Sequence, residues 1–336
     1  MQKLGIIGAG AWGTALAVVA RKAGRDAVLW AFEPEVVAAI NGQHRNPLFL
    51  PDVALDPAIT ATGDLALAAK ADLIFLVVPA QFLRPVCLRL APLLAPGTPV
   101  VICAKGIEKG SGALMTDVVR ETLPKAEMMV LSGPTFAGEV AAGLPTAITL
   151  GVSNADLGNK VAAAISSPAF RPYLSNDVIG AEVGGAVKNV LAIGCGIADG
   201  RKLGANARAA LLTRGLAEIV RLAVARGGRA ETLMGLSGLG DLVLTATSLQ
   251  SRNYSLGVAL GQGRSLAEIL GERRSVAEGV ATAEAVAALA AKIGVDMPIC
   301  TAIDAVINRG AQVDKVLKGL LDRPLRAEVD TPSPRG

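Results

Sequence analysis

The chain of 336 residues carries 33 Lys and Arg against 29 Asp and Glu, a formal charge of +4, with 51% apolar residues, 3% aromatics and a single histidine, His44. Its length suits about two domains of roughly 100 to 200 residues each, and a pI near 8.9 suits anionic small molecules, while the absence of basic runs and of interleaved aromatics argues against nucleic acid. A single histidine argues against a His triad or His-rich metal site, and Cys87, Cys103, Cys195 and Cys300 have neither C-x-x-C spacing nor companion histidines, so no metal, zinc site or disulfide framework is expected and the compartment reads as a reducing cytoplasm.

The first element is ambiguous on its own. From Leu4 to Ala20 there is no charge, which invites a secretory or membrane-anchor reading. The run falls short of the ~18 to 20 residues that span a bilayer, Arg21 and Lys22 replace any small-residue cleavage site, and no second span is evident, so no stable membrane anchor is expected. The stretch "GIIGAGAWGTALA" instead places Gly8, Gly10 and Gly13 in G-x-G-x-x-G spacing, between a strand over 3–7 and a helix over 12–23 that leads to a strand over 27–30. In that strand-turn-helix-strand context Gly8 allows the tight turn, Gly10 lets the backbone approach a pyrophosphate, and Gly13 permits close helix-strand packing.

Alternation continues with a helix near 34–41, a strand at 72–79, a helix near 81–93 and strands at 99–104, 128–132 and 146–151. Strands separated by helices predict an α/β fold with a doubly wound, Rossmann-type parallel sheet over residues 1–180. Beyond about Gly180 the pattern becomes Ala- and Leu-rich helix, as in 206–226, 280–293 and 299–309, which predicts an all-α C-terminal domain over 181–321. The tail 322–336, with Pro324, Pro332 and Pro334, reads as loose.

Ligands of open α/β sheets sit beyond the carboxyl ends of the strands, so polar residues there carry weight. "AKGIEKG" puts Lys105 after the strand 99–104, and "SGPTFAGE" puts Gly133, Thr135 and Ala137 at a strand-to-helix turn. A loop lysine and an N-cap threonine would also account for these. In "VGGAVKNVLAIGCGIA" the one charge is Lys188. A desolvated lysine loses its proton easily and suits proton transfer, although a buried stem with its head in water has the same spacing. Gly184 and Gly185 beside it offer room for a flat ring or substrate. "GLGDL" presents Asp241, and "QSRN" offers Ser251, Arg252 and Asn253, chemistry suited to phosphate and equally to a solvated helix start. Glu278 in "SVAEG" opens a helix, where a carboxylate also favours the dipole.

Taken together and in order, "GAGAWGTALA", "FLPDV", "AKGIE", "SGPTFAGEVAAGLPTAI", "GGAVKNVLAIGCGIADG", "GANARAALLTRGLAE", "GLSGLGDLVLTATSLQSRN" and "VAEGVATAE" resemble the bacterial NAD(P)-dependent glycerol-3-phosphate dehydrogenase family, from residue 5 to about residue 310. The resemblance implies hydride transfer between NAD(P)H and dihydroxyacetone phosphate, giving sn-glycerol 3-phosphate for phospholipid synthesis. It implies Lys188 as the catalytic lysine, with Lys105, Gly133, Thr135, Asp241, Ser251, Arg252 and Asn253 lining the substrate. Ala11, Trp12, Lys105, Ala137, Arg252, Val276 and Glu278 would face the cofactor, and a homodimer is the family-level expectation. Ala11 stands where serine is common, Trp12 where another aromatic is common, and Phe32 where a basic residue or histidine often stands. Glu33 lies 20 residues after Gly13, where an acidic side chain favours NAD, whereas many relatives use NADPH. A related two-domain hydroxyacid or ketopantoate-type reductase is the alternative, and "QSRN" discriminates, because those substrates carry no phosphate.

Overall fold

The structure is a computed structural model and describes residues 1–272 and 277–324. Among the described residues there are ten strands: β1 (Lys3–Ile7), β2 (Asp26–Trp30), β3 (Arg45–Asn46), β4 (Leu50–Ala54), β5 (Thr60–Thr62), β6 (Leu73–Leu76), β7 (Pro99–Ile102), β8 (Glu127–Ser132), β9 (Thr146–Gly151) and β10 (Phe170–Ser175). Eight form one sheet in the order β10-β9-β8-β7-β6-β1-β2-β5, and β3 and β4 make a separate antiparallel hairpin. β6 is buried along its whole length, as expected of a strand covered by helices on both faces.

The sheet is Rossmann-like, with two departures from the expected pattern. β9 runs antiparallel to β8, pairing Ser132 with Thr149 and Val130 with Gly151, and β10 follows β9 in parallel. The chain turns back after the helix Ala137–Ala142 at Gly143, which is left-handed, and returns beside β8. In addition β3, β4, β5 and β10 are strands that hydrophobic pattern alone does not reveal. β5 has three residues, and β10 contains Pro172, tolerated because this strand lies at the sheet edge.

Beyond β10 the described residues are helices and turns. The helix Val178–Gly200 is capped by Asp177, whose carboxylate accepts from Gly180 N at 2.9 Å and Arg229 N at 2.8 Å. By length and composition it passes for a membrane span, which the sequence did not suggest, yet 89% of its apolar window is buried inside the protein. It is the core helix of the second half. The helix Arg252–Gly261 packs against it backbone to backbone: a Cβ on Gly196 would lie 2.2 Å from Tyr254 O, and one on Gly257 would lie 2.1 Å from Ile193 O. The helices Ala205–Ala225, Glu278–Ile293 and Pro298–Asn308 complete the layer.

The reversal of β9 and β10 determines where the core helix points. β10 ends at the edge of the sheet opposite the carboxyl ends of β1, β6, β7 and β8, so the helix that follows climbs toward those ends. Gly185 reaches the end of β8, where a Cβ would meet Ser132 Oγ at 2.4 Å. Lys188 follows one turn later, at the face where ligands of such sheets sit.

Candidate active site

The glycine turn has the properties of a dinucleotide cradle. Gly8 has φ +122°, and a Cβ there would lie 2.9 Å from the carbonyl carbon of Val77, because the ends of β1 and β6 converge at this point. A Cβ on Gly13 would sit 1.9 Å from Gly8 O, whereas one on Gly10 would meet nothing within 4 Å. Two glycines therefore serve the fold, and the third leaves open space before a helix N-terminus. The helix Ala11–Lys22 begins with no side-chain cap and no acidic residue in its first turn, an electropositive end suited to a pyrophosphate. Buried Asn46 braces the turn, its Nδ2 donating to Ala9 O and Thr14 Oγ1, both at 2.8 Å. Asn46 lies on the hairpin that the sequence reading missed, and only the preceding helix and the return of the chain bring it here.

The remaining cofactor candidates divide by position. Ala11, Trp12 and Ala137 are half-buried and pack against the core around this turn. Phe32 projects from the end of β2 and is 78% exposed, and Glu33 is the N-cap residue of the helix Pro34–Gln43. Val276 lies outside the described residues.

Opposite the turn, side chains from both halves converge on Asp241, which is fully buried. Its Oδ1 accepts from Lys188 Nζ and its Oδ2 from Lys105 Nζ, the latter at 2.7 Å. Lys188 also donates to Thr245 Oγ1 at 2.9 Å. Lys105 donates to Gly133 O at 3.2 Å, and Thr135 Oγ1 donates to the same carbonyl at 3.2 Å. Thr135 is thus not the N-cap of the next helix, which is Phe136. Gly184 and Gly185 do not leave room for a ligand either, since Ser237 O and Ser132 Oγ occupy the space beside them. Their small size lets the helix seat Lys188 against the sheet.

Electrostatics follow from this packing. Burial pulls the Lys188 ammonium below its ordinary value, to about 8; neighbouring Lys105 acts in the same direction and Asp241 opposes both. Burial raises Glu278, which the cations of Arg252, Lys105 and Lys188 counteract. These four residues therefore share one electrostatic neighbourhood, although they come from a loop and three helices. Ser251 caps the helix that Arg252 begins, its Oγ accepting from Tyr254 N at 3.2 Å. Asn253 is drawn inward as a brace: its Oδ1 accepts from Gly279 N at 3.1 Å and its Nδ2 donates to Asn189 Oδ1 at 3.0 Å. The sequence reading missed Thr245 and Asn189. The available signals were the four-residue spacing of Thr245 from Asp241, which puts both on one helix face, and the adjacency of Asn189 to Lys188.

Comparison with known proteins gives the family. Residues 3–158 match the family described as NAD-dependent glycerol-3-phosphate dehydrogenase N-terminus, and residues 177–318 match its C-terminus. A glycerol-3-phosphate dehydrogenase (NAD(P)+) of Rhodospirillum rubrum is 60% identical, over 98% of this chain and 94% of that protein. One from Caulobacter vibrioides is 58% identical, over 97% and 99%. The crystal structure of glycerol-3-phosphate dehydrogenase from Coxiella burnetii superposes with a TM-score of 0.92 at 39% identity, covering 96% of this chain and 99% of that one.

Proposed function

The chain belongs to the NAD-dependent glycerol-3-phosphate dehydrogenase family and catalyses the NAD(P)H-dependent reduction of dihydroxyacetone phosphate; from that premise we propose how its residues divide the work. Residues 1–180 hold the cofactor and 181–321 supply most of the substrate site. Gly10, Ala11 and Trp12 hold the pyrophosphate on the turn that Gly8 and Gly13 shape, with Phe32 at the adenosine end and Ala137 and Glu278 along the rest. When bound, the reduced nicotinamide supplies a hydride to the carbonyl carbon of the substrate.

Lys188 has three N–H donors, two of which go to Asp241 and Thr245. The third is left for the substrate carbonyl oxygen, where it stabilises the developing negative charge and delivers the proton. Asp241 keeps Lys188 and Lys105 side by side, so that two cations face that oxygen. Such positioned proton transfer contributes ~10²- to 10⁴-fold in rate, and oriented charge adds comparable amounts. Arg252, with Ser251 and Asn253 beside it, holds the phosphate, and Gly133 and Thr135 shape the wall. Binding energy from the phosphate thereby orients the reacting carbon.

The single observation that carries this reading is the buried carboxylate of Asp241 joining a lysine from each half of the chain. Loss of absorbance at the reduced nicotinamide band on adding dihydroxyacetone phosphate tests the activity of this chain. Arg252→Ala tests the division of labour: it should raise KM for dihydroxyacetone phosphate by roughly ten- to a hundredfold, the value of one charge-assisted hydrogen bond. An unchanged KM would place the phosphate elsewhere. The product suits glycerophospholipid synthesis in the cytoplasm, and we further propose that the enzyme works as a homodimer.

A further inference from the structure

We propose that a cavity at the seam between the two halves, separate from the reduction site, binds a small organic anion with an oxyanion head and a short apolar body. The cavity measures about 370 Å³, within the ~300 to 1,000 Å³ typical of small-molecule sites. Segments distant in sequence close it. One wall is the loop 111–113 and the helix Met115–Thr122, which presents Asp117, Arg120 and Glu121; the other is Arg226, at the end of the helix Ala205–Ala225, with Leu289 and Lys292 from the last turns of the helix Glu278–Ile293.

The charges of this cavity are incompletely matched. Asp117 serves two guanidinium groups at once, Arg120 at 2.9 Å and Arg226 at 2.7 Å, and also accepts from Leu114 N. Glu121 is turned toward Arg84, at 2.7 Å. Among the described residues Lys292 has no ion-pair partner, and the Nε of Arg226 is buried without an acceptor. An oxyanion seated in the cavity beside Lys292 would give that ammonium the counter-charge it lacks, and the Arg226 guanidinium, held by Asp117, adds positive charge to the same cavity. Leu289 and Ile293 give the same cavity an apolar side, which favours an organic acid over a bare inorganic ion.

The position connects this cavity to turnover. The loop 111–113 continues the segment that carries Lys105. Just beyond it, Thr116 donates through N at 2.8 Å and Oγ1 at 2.6 Å to Glu182, six residues before Lys188 on the core helix. An anion that draws the two walls together therefore acts on the mounts of both active-site lysines.

Phenyl phosphate and benzoate, titrated into the full chain by calorimetry, test the proposal and distinguish a phosphate from a carboxylate head. Either probe should bind, and Lys292→Glu, a change at an exposed position, should weaken that binding by about tenfold or more. Lys292→Gln should weaken it in the same direction with an unchanged circular dichroism spectrum. Arg252→Ala should leave it unaltered. The proposal is overturned if neither probe binds at millimolar concentration, if the Lys292 variants bind as the parent does, or if Arg252→Ala abolishes binding, which would assign the probe to the reduction site.

Discussion

Lys188 combines two requirements that conflict in water: it must be charged to stabilise an oxyanion and must give up its proton readily. Burial lowers its proton affinity to about 8, and Asp241 keeps it charged at neutral pH. The rate of dihydroxyacetone phosphate reduction should therefore fall as pH rises through about 8, and the reverse oxidation, which needs the neutral amine, should rise over the same range. Lys188→Ala should cut kcat by at least ~10²-fold with cofactor binding largely intact; near-normal turnover would remove its assignment. The lysine was legible as the only charge in an apolar run, whereas Thr245 gained meaning only once Asp241 was known to begin a helix. Phe32 and Glu33 bear on the cofactor. An acidic side chain at 33 favours a ribose 2′-OH, and an exposed ring at 32 can cover an adenine that both cofactors share. Values of kcat/KM for NADH and NADPH should lie within about tenfold, ~1.4 kcal/mol, and Phe32→Arg should shift the balance toward NADPH. A hundredfold preference in the parent enzyme would contradict this.

Among the elements, the glycine turn separates binding from folding. Gly10→Ala adds a methyl to open space, so the thermal midpoint should hardly move while KM for the cofactor rises. Gly13→Ala places a Cβ 1.9 Å from Gly8 O and should destabilise the protein, with overpacking costing about 1 to 3 kcal/mol or more. Thermal melts beside cofactor titrations check both, and equal loss of stability in the two variants would refute the distinction. This turn was readable because its residues adjoin in sequence and each glycine has a stereochemical reason. β3, β4, β5 and β10 were not readable: two to six residues do not establish a period of two, and a strand held mainly by the ladder of its neighbour leaves a weak hydrophobic signature. The reversal at β9 was equally hidden, since its residues alternate no differently from those of a parallel strand.

At the scale of the molecule, the two halves are joined by a buried carboxylate that takes no part in the reaction. Glu182, on the core helix, accepts both donors of Thr116 from the sheet half, and burial raises it to about 7, with Asp117 adding to the effect and the Thr116 bonds opposing it. A carboxyl whose folded value exceeds its unfolded one binds more protons in the native state. Its contribution to stability is therefore fully present below about 4.5 and is lost as pH rises through about 7. Glu182→Gln should flatten the pH dependence of the denaturation midpoint in this window; an unaltered slope would show that other groups set it. The core helix that carries Glu182 also acts as a ruler. From its cap at Asp177 to Lys188 the distance is set by about 1.5 Å and 100° per residue, and β9 and β10 fix where that count begins. A residue inserted or deleted within this interval would swing the ammonium about a quarter-turn away from Asp241 and leave a buried charge facing apolar neighbours. Surface loops such as those at Gly97 and Gly263 can lengthen or shorten with little consequence, but this interval has to keep its length. In any descendant of this enzyme, the spacing from Asp177 to Lys188 should outlast the identity of most residues between them.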